Sequence, residues 1–381
     1  MKQIYLDHAA TSPMHPVVLD SMLSVMKEEF GNPSSIHGFG RKTRHLVDEA
    51  RHMAAKSIGA KESEIIFTSG GTESDNLAIV GVARANQNRG KHIITTQIEH
   101  HAVLHTCEQL EKEGFEVTYL PVNKEGLIDI NELKAALRND TILVTVMYGN
   151  NEVGVIQPIK EIGEILKEHK AYFHTDAVQA FGLIPINVKE AGIDLLSVSA
   201  HKINGPKGTG FLYAHTGTNF SPITYGGEQE RKRRAGTENV AGIVGLKTAI
   251  EFSLDEAAER SLQYNNFKEI MQQIWKEEGV VFHMNNSAEA TLPHVMNVYF
   301  PGTNVESLLV NLDLAGVAVS SGSACTAGSI DPSHVLVAMF GKESDRIASS
   351  IRFSFGLGNT MVDIIYAAKA TAKVVNRLVK K

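Results

Sequence analysis

An α/β fold with a mostly parallel sheet covered on both faces is the architecture this 381-residue sequence predicts. Short apolar runs alternate with amphipathic helical stretches through most of the chain, and clusters of polar residues and glycines follow the ends of the runs. Buried parallel strands need helical crossovers, and ligands of such sheets bind where the carboxyl ends of the strands gather their loops.

Residues 65–68 form the first run, which passes through Ser69-Gly70-Gly71-Thr72 into a helical stretch at 73–85. A strand at 92–96 precedes a helix running from Ala102 to a glycine stop at Gly114. Residues 116–121 read as a strand, 132–138 as a helix, 141–148 as a buried strand and 159–169 as a helix. Strands follow at 172–175, 194–199 and 210–214. A long, charged helical stretch at 253–278 reads as a boundary. Beyond it lie strands at 280–283, 295–299, 317–320 and 351–354, a helix at 305–315 and a basic terminal helix at 361–381, the texture of a smaller α+β lobe.

Composition narrows the function classes. Hydrophobic residues at 43% and charged residues at 21% exclude a disordered chain, and the length suggests two domains at about 150 residues each. A net charge of −6 argues against a dedicated nucleic-acid binder. No apolar run is long enough for a transmembrane helix, and the N-terminus M-K-Q-I-Y-L-D-H lacks a secretory pattern. Two cysteines, Cys107 and Cys325, make no disulfide framework, so a cytoplasmic enzyme is expected.

Lys202 follows the apolar strand 194–199 through Ser199-Ala200-His201. A lysine at the end of a buried strand is poorly solvated, which lowers its pKa and frees its amine for a Schiff base with a carbonyl cofactor. By itself it is equally a surface lysine in a turn. Asp176 ends another strand, in His174-Thr175-Asp176-Ala177-Val178-Gln179, and a carboxylate is what the pyridine nitrogen of pyridoxal phosphate requires. Its plain alternative is a helix cap. Gly70-Gly71-Thr72 between a strand and a helix suits a phosphate but matches neither nucleotide-binding fingerprint. His100, after the strand 92–96, is placed to stack on a planar cofactor and carry protons, and the run Glu99-His100-His101 lacks the spacing of a zinc site. Cys325, flanked by small residues in S-S-G-S-A-C-T-A-G-S, reads as an exposed nucleophile on a mobile loop, whereas Cys107 fits a buried helix face with Val103 and Leu110. Arg352, in the strand Ser350-Ile351-Arg352-Phe353-Ser354, suits a substrate carboxylate or a structural ion pair. The basic run Lys232-Arg233-Arg234 is a solvated loop or the lead-in to an anion-binding turn at Ala235-Gly236-Thr237.

Taken together, these segments resemble the cysteine desulfurases, pyridoxal-phosphate enzymes of the class V aminotransferase superfamily. The resemblance rests on Y-L-D-H-A-A-T-S-P at 5–13, G-N-P-S-S-I-H at 31–37, S-G-G-T-E-S-D-N at 69–76, I-E-H-H-A-V at 98–103 and N-N-E-V-G at 150–154. It continues through H-T-D-A-V-Q at 174–179, S-A-H-K-I-N-G-P-K-G at 199–208, R-A-G-T-E-N at 234–239 and S-G-S-A-C at 321–325. The stretch through Pro332-Ser333-His334 is similar to the longer-loop group of the family, which serves iron–sulfur assembly and tRNA thiolation.

The resemblance implies fold type I of the pyridoxal-phosphate enzymes. A large domain at 13–257 carries a mostly parallel seven-stranded sheet, and residues 1–12 and 258–381 form a smaller α+β domain with the cysteine loop. It implies a homodimer, L-cysteine as substrate, a sulfur-acceptor protein as partner, and neither nucleic acid nor membrane. Lys202 would hold pyridoxal phosphate as a Schiff base, Asp176 would pair with the ring nitrogen, Gln179 would meet the ring hydroxyl and His100 would stack. Gly71, Thr72, Ser199 and His201 would hold the phosphate, joined by Thr237 from the other subunit, and Asn151 and Arg352 would hold the substrate carboxylate. Lys202, His100 and Cys325 would carry the chemistry, with sulfur arriving on Cys325 as a persulfide and alanine released. No resident metal is implied, although Cys325 is a conceivable transient iron–sulfur ligand; His101, where relatives often carry lysine, receives no role.

Overall fold

The computed structural model describes residues 3–286, 289–321 and 332–379, with the backbone of 325–326 and 329–330. After β1 (Ile4–Tyr5), two helices, α1 (Pro16–Glu28) and α2 (Gly38–Ser57), precede the sheet. Then come β2 (Ile65–Thr68), α3 (Gly71–Asn86), β3 (His92–Thr96), α4 (His101–Lys112), β4 (Glu116–Leu120) and α5 (Ile130–Ala136). They are followed by β5 (Thr141–Thr145), α6 (Ile159–Leu166), β6 (Tyr172–Asp176), β7 (Leu195–Ser199) and β8 (Gly210–Ala214).

Seven strands form one sheet in the order β2-β8-β7-β6-β5-β3-β4. Only β8 runs against its neighbours, β2 and β7; the remaining pairs are parallel. Consecutive side chains in a strand point to opposite faces, so an apolar run without polar breaks supplies both. Ile65, Ile94, Val144, Leu196 and Phe211 pack with Val47, Ala54, Ile162 and Leu246 in one core layer. Their neighbours Ile66, Ile93, Leu143, Leu195 and Leu212 pack with Leu77, Val82, Val103 and Cys107 in the other. Cys107 is fully buried, as its place on the helix face predicts.

A turn, α7 (Gln229–Lys232), leads to α8 (Val240–Asp255), which packs on α1 and α2. The helical stretch expected at 253–278 is broken at Glu256, where α9 (Ala257–Glu277) begins and turns to a second core. That core gathers α9 with β9 (His283–Met284), β10 (Val295–Tyr299), α10 (Val305–Leu314) and β11 (Val317–Ala318). The pair β12 (Cys325–Thr326) and β13 (Ser329–Ile330) is followed by α11 (His334–Phe340), β14 (Ser350–Ser354) and α12 (Met361–Val379). Trp275 sits at the centre of this core against Phe300 and Phe353, its indole N–H donating to Ala368 O at 3.1 Å. The strand expected at 280–283 is displaced to β9, because Val280 caps this core while Val281 faces solvent.

Arg51 of α2 and Glu230 of α7 form a buried two-point ion pair at 2.7 and 2.8 Å, and Glu230 also accepts from Phe67 N–H at 3.0 Å. Removing one member strands the other charge, so Glu230→Ala is expected to cost about 3–5 kcal/mol. Urea denaturation of the variant measures this; a loss below about 1 kcal/mol, the range of exposed pairs, contradicts the assignment.

Candidate active site

The running direction of the sheet decides where chemistry can occur. Strands β2, β3, β5, β6 and β7 all point their carboxyl ends to one edge, because β2 and β7 are each antiparallel to β8. A cavity of about 370 Å³ opens there, lined by Gly71, Thr72, His100, Asn151, Asp176, Gln179, Ser199, His201, Lys202 and Arg352. Among the described residues, the fold thus brings together every nominated site residue except Thr237.

At one end of the cavity lies the start of α3. Its cap is Gly70, at φ 139°, which offers no side-chain acceptor to the first-turn amides. Gly71 is required beside it, since a Cβ there would lie 2.8 Å from Val178 Cγ2. Thr72, Ser199 and His201 surround the same helix end. Uncapped N–H groups, a helix dipole and hydroxyls together make an anion site.

Lys202 ends the short turn after β7. Burial, with Arg352 nearby, lowers its pKa to about 8. Its Nζ donates to the carbonyls of Ala9 at 2.5 Å and Ala10 at 2.8 Å. Asp176, the last residue of β6, accepts from Val178 N–H at 2.9 Å, and burial raises its carboxyl to about 6 against the pull of that bond and of Lys202. Gln179 donates to Ala9 O at 2.9 Å and accepts from His294 at 3.1 Å, so its amide orientation is fixed.

His100 caps α4: its Nδ1 accepts from Ala102 N–H at 3.1 Å, which assigns any ring proton to Nε2. Burial in the cavity wall and the nearby Lys202 lower its pKa to about 4, so the ring is neutral near pH 7. His201, lowered to about 4 for the same two reasons, holds Thr11 Oγ1 at 3.0 Å.

Arg352 resolves its two sequence readings into one arrangement. Its guanidinium pairs with Asp7 at 2.7 Å and donates to Asn151 O at 2.9 Å, while its buried Nε has no partner. Asp7 is itself part of a strap, residues 7–12, that wires the site together. Asp7 meets Arg352, Ala9 and Ala10 meet Lys202, Thr11 meets His201, and Ser12 Oγ donates to His201 O at 2.6 Å.

Thr237 is exposed and outside this cavity. Its loop is tied to the α3 end by Arg234, whose Nε lies 2.7 Å from Glu73 Oε1. The Cys325 backbone pairs with Ile330, but its side chain lies outside the described residues. The chain carrying it leaves the cavity wall at Ser320, which exchanges two backbone hydrogen bonds with Arg352 at 3.2 and 2.7 Å. It returns at Ser333, bonded to buried Glu152 at 2.5 Å, and His334, bonded to Glu99 O at 2.8 Å.

Sequence reasoning missed Asp75, Glu152 and His334, all lining the cavity. Asp75 left one usable signal, a charge on the buried face of α3 between Ser74 and Leu77. Asp75, His100 and Asp176 each bring a donor atom within 4.8 Å of the others, a spacing open to a metal ion. Facing the cations Lys202 and Arg352, they serve better as the polar wall of an organic cofactor site. An anion-binding helix end, a depressed lysine and a buried carboxylate fit pyridoxal phosphate: its phosphate, aldehyde and ring nitrogen each have a matching group.

Comparison with known proteins agrees. The aminotransferase class-V family profile matches residues 4–366. The chain is 66% identical over 378 residues to a putative cysteine desulfurase IscS 1 of Bacillus subtilis, covering 99% of this chain and all of that protein. A cysteine desulfurase IscS of Dictyoglomus turgidum is 50% identical over 380 residues, covering 99% of this chain and 95% of that one. Among solved structures, a NifS-like protein superposes with a TM-score of 0.92 at 36% identity, covering 99% of this chain and all of that one. With fold, cavity and sequence in agreement along nearly its whole length, the chain belongs to the class-V aminotransferases, in their cysteine desulfurase branch.

Proposed function

We propose that this protein is a pyridoxal-phosphate-dependent cysteine desulfurase that passes the sulfur of L-cysteine to Cys325 and releases L-alanine. The observation that carries this reading is one cavity holding Lys202, Asp176 and Arg352, whose rim is joined at both ends to the segment bearing Cys325. Bound pyridoxal phosphate supplies an electron sink for bond breaking at the substrate's Cα. Arg352 and Asn151 hold the substrate carboxylate. The neutral Lys202 amine takes the Cα proton, and His100 handles protons at the cavity wall. The Cys325 thiolate attacks the substrate sulfur, so an S–S bond forms as the Cβ–S bond breaks. Cys325 becomes a persulfide, and the carbon skeleton takes up protons to become alanine.

A sulfur-acceptor protein, serving iron–sulfur assembly or tRNA thiolation, collects the persulfide. A division near residue 257 is supported by the second core, which draws on Ile4 and Leu6 and on residues from Tyr264 onward, although Leu292 and Val295 pack into the sheet core. Among the described residues no helix is long and apolar enough to cross a membrane, and a reducing cytoplasm suits a reactive thiol. A homodimer accounts for Met26, Phe30, Ile36 and Phe39, large apolar side chains left exposed. Ser34 shares a depression with Glu228 and Glu238, which sets this surface beside the loop of Thr237. Thr237 then completes the phosphate site of the second subunit.

Loading the chain with pyridoxal phosphate and reducing it with borohydride tests the cofactor assignment. The fixed label is expected on Lys202, and a label elsewhere contradicts it. Replacing Arg352 by Ala is expected to raise KM for L-cysteine about 10- to 100-fold, the loss of a charge-assisted contact. Steady-state kinetics measure this, and an unchanged KM assigns Arg352 to Asp7 alone.

A further inference from the structure

The floor of the cavity holds two aspartates where one is needed. Asp75 is 1% exposed and its Oδ1 has no hydrogen-bond partner. Its carboxyl lies within 4.8 Å of a donor oxygen of Asp176. Two buried carboxylates at that spacing do not both ionise at neutral pH, because desolvation and mutual repulsion act together.

The groups facing Asp75 decide which of the two keeps the proton. From β6, His174 lies 3.6 Å away but brings no charge: buried and neutral, it is held by Thr145 Oγ1 at 2.8 Å and Ser197 Oγ at 3.0 Å. From β7, Ser197 gives a hydrogen bond, the one contact that favours an anion at Asp75. From the loop after β3, Glu99 is itself pushed up to about 8 by burial, so near pH 7 neither it nor His100 brings a charge to Asp75. Asp176, by contrast, has Val178 N–H and the Lys202 cation on its side. Burial and Asp176 both push the Asp75 carboxyl up.

Resting on the cofactor reading above, we propose that Asp75 is a positioning residue that remains protonated beneath the site and leaves Asp176 as its single anion. The cofactor's ring nitrogen then meets one carboxylate of fixed charge rather than a pair that shares a proton with it. Asp75 touches neither substrate nor cofactor in this role and acts through Asp176.

Infrared spectroscopy tests this without reference to turnover. Protein labelled with carboxyl-¹³C aspartate, free of cofactor at pH 8, is expected to show a protonated-aspartate band that disappears in Asp75→Asn. An unchanged spectrum in that variant overturns the proposal even if the enzyme is a desulfurase. If Asp75→Asn does not fold, labelled Asp194→Asn serves, since Asp194 is another aspartate whose carboxyl is pushed up by burial; absence of the band there also overturns it. In the holoenzyme, Asp75→Asn keeps the floor's charge and is expected to move the pH titration of cofactor absorbance by less than about half a unit. A shift of one or more units, the size expected when a neighbouring charge is removed, means Asp75 is ionised.

Discussion

Lys202→Ala is expected to lower turnover of L-cysteine by at least about 10³-fold, the range for removing a positioned acid–base group. The variant keeps the fold, because Lys202 contributes two hydrogen bonds to Ala9 and Ala10 carbonyls on the cavity edge and no core packing. Its place explains the size of the effect. Among the described residues the side chain is the one amine on the cavity lining, and burial with Arg352 nearby holds its pKa to about 8. Since the neutral amine is the active form, wild-type turnover is expected to rise about tenfold per pH unit below that value and to level off above it. The sign follows from the lowered pKa: protonation at lower pH removes the base. A pH–rate profile of wild type, with Lys202→Ala alongside, measures both. Activity in the variant within tenfold of wild type contradicts the role.

Cys325→Ser is expected to abolish sulfide production, to below about one part in 10³, while the protein still binds pyridoxal phosphate. A hydroxyl cannot form a persulfide, and the thiolate is the nucleophile of sulfur exchange. The structure narrows the choice by its other cysteine. Cys107 is wholly buried between α4 and the sheet, and burial pushes its thiol far above the usual range. Of the two cysteines in the chain, Cys325 is left. Labelling with ³⁵S-cysteine and mapping the labelled peptide checks the assignment, and label on Cys107 contradicts it.

Both results concern residues legible in the sequence, and the reasons are local. Strands β2, β3 and β7 are buried on both faces, so each carries an apolar core pair such as Ile65-Ile66, Ile93-Ile94 or Leu195-Leu196, and their ends fell where the polar motifs begin. The helices α1 and α2 left no such mark. Their caps are His15 and His37, whose ring nitrogens accept from Val17 N–H and Gly40 N–H at 3.2 Å each, in place of the usual Ser, Thr, Asp or Asn. In α2 the first turn also holds Gly38 and Gly40, and Gly40 is irreplaceable because a Cβ would meet Ser35 O at 2.2 Å. The break at Glu256 was hidden because both helices it joins are polar there. Asp75 and Glu152 escaped notice as ordinary charged residues; only packing shows that each is buried. The strap at 7–12 was read as a motif, while its function as the tie between Arg352, Lys202 and His201 depends on contacts more than 180 residues apart.

The most direct measurement counts alanine and sulfide together after the purified protein, loaded with pyridoxal phosphate, is incubated with L-cysteine and a thiol reductant. Equal yields of the two products are expected. Pyruvate in place of alanine, or alanine without matching sulfide, contradicts it.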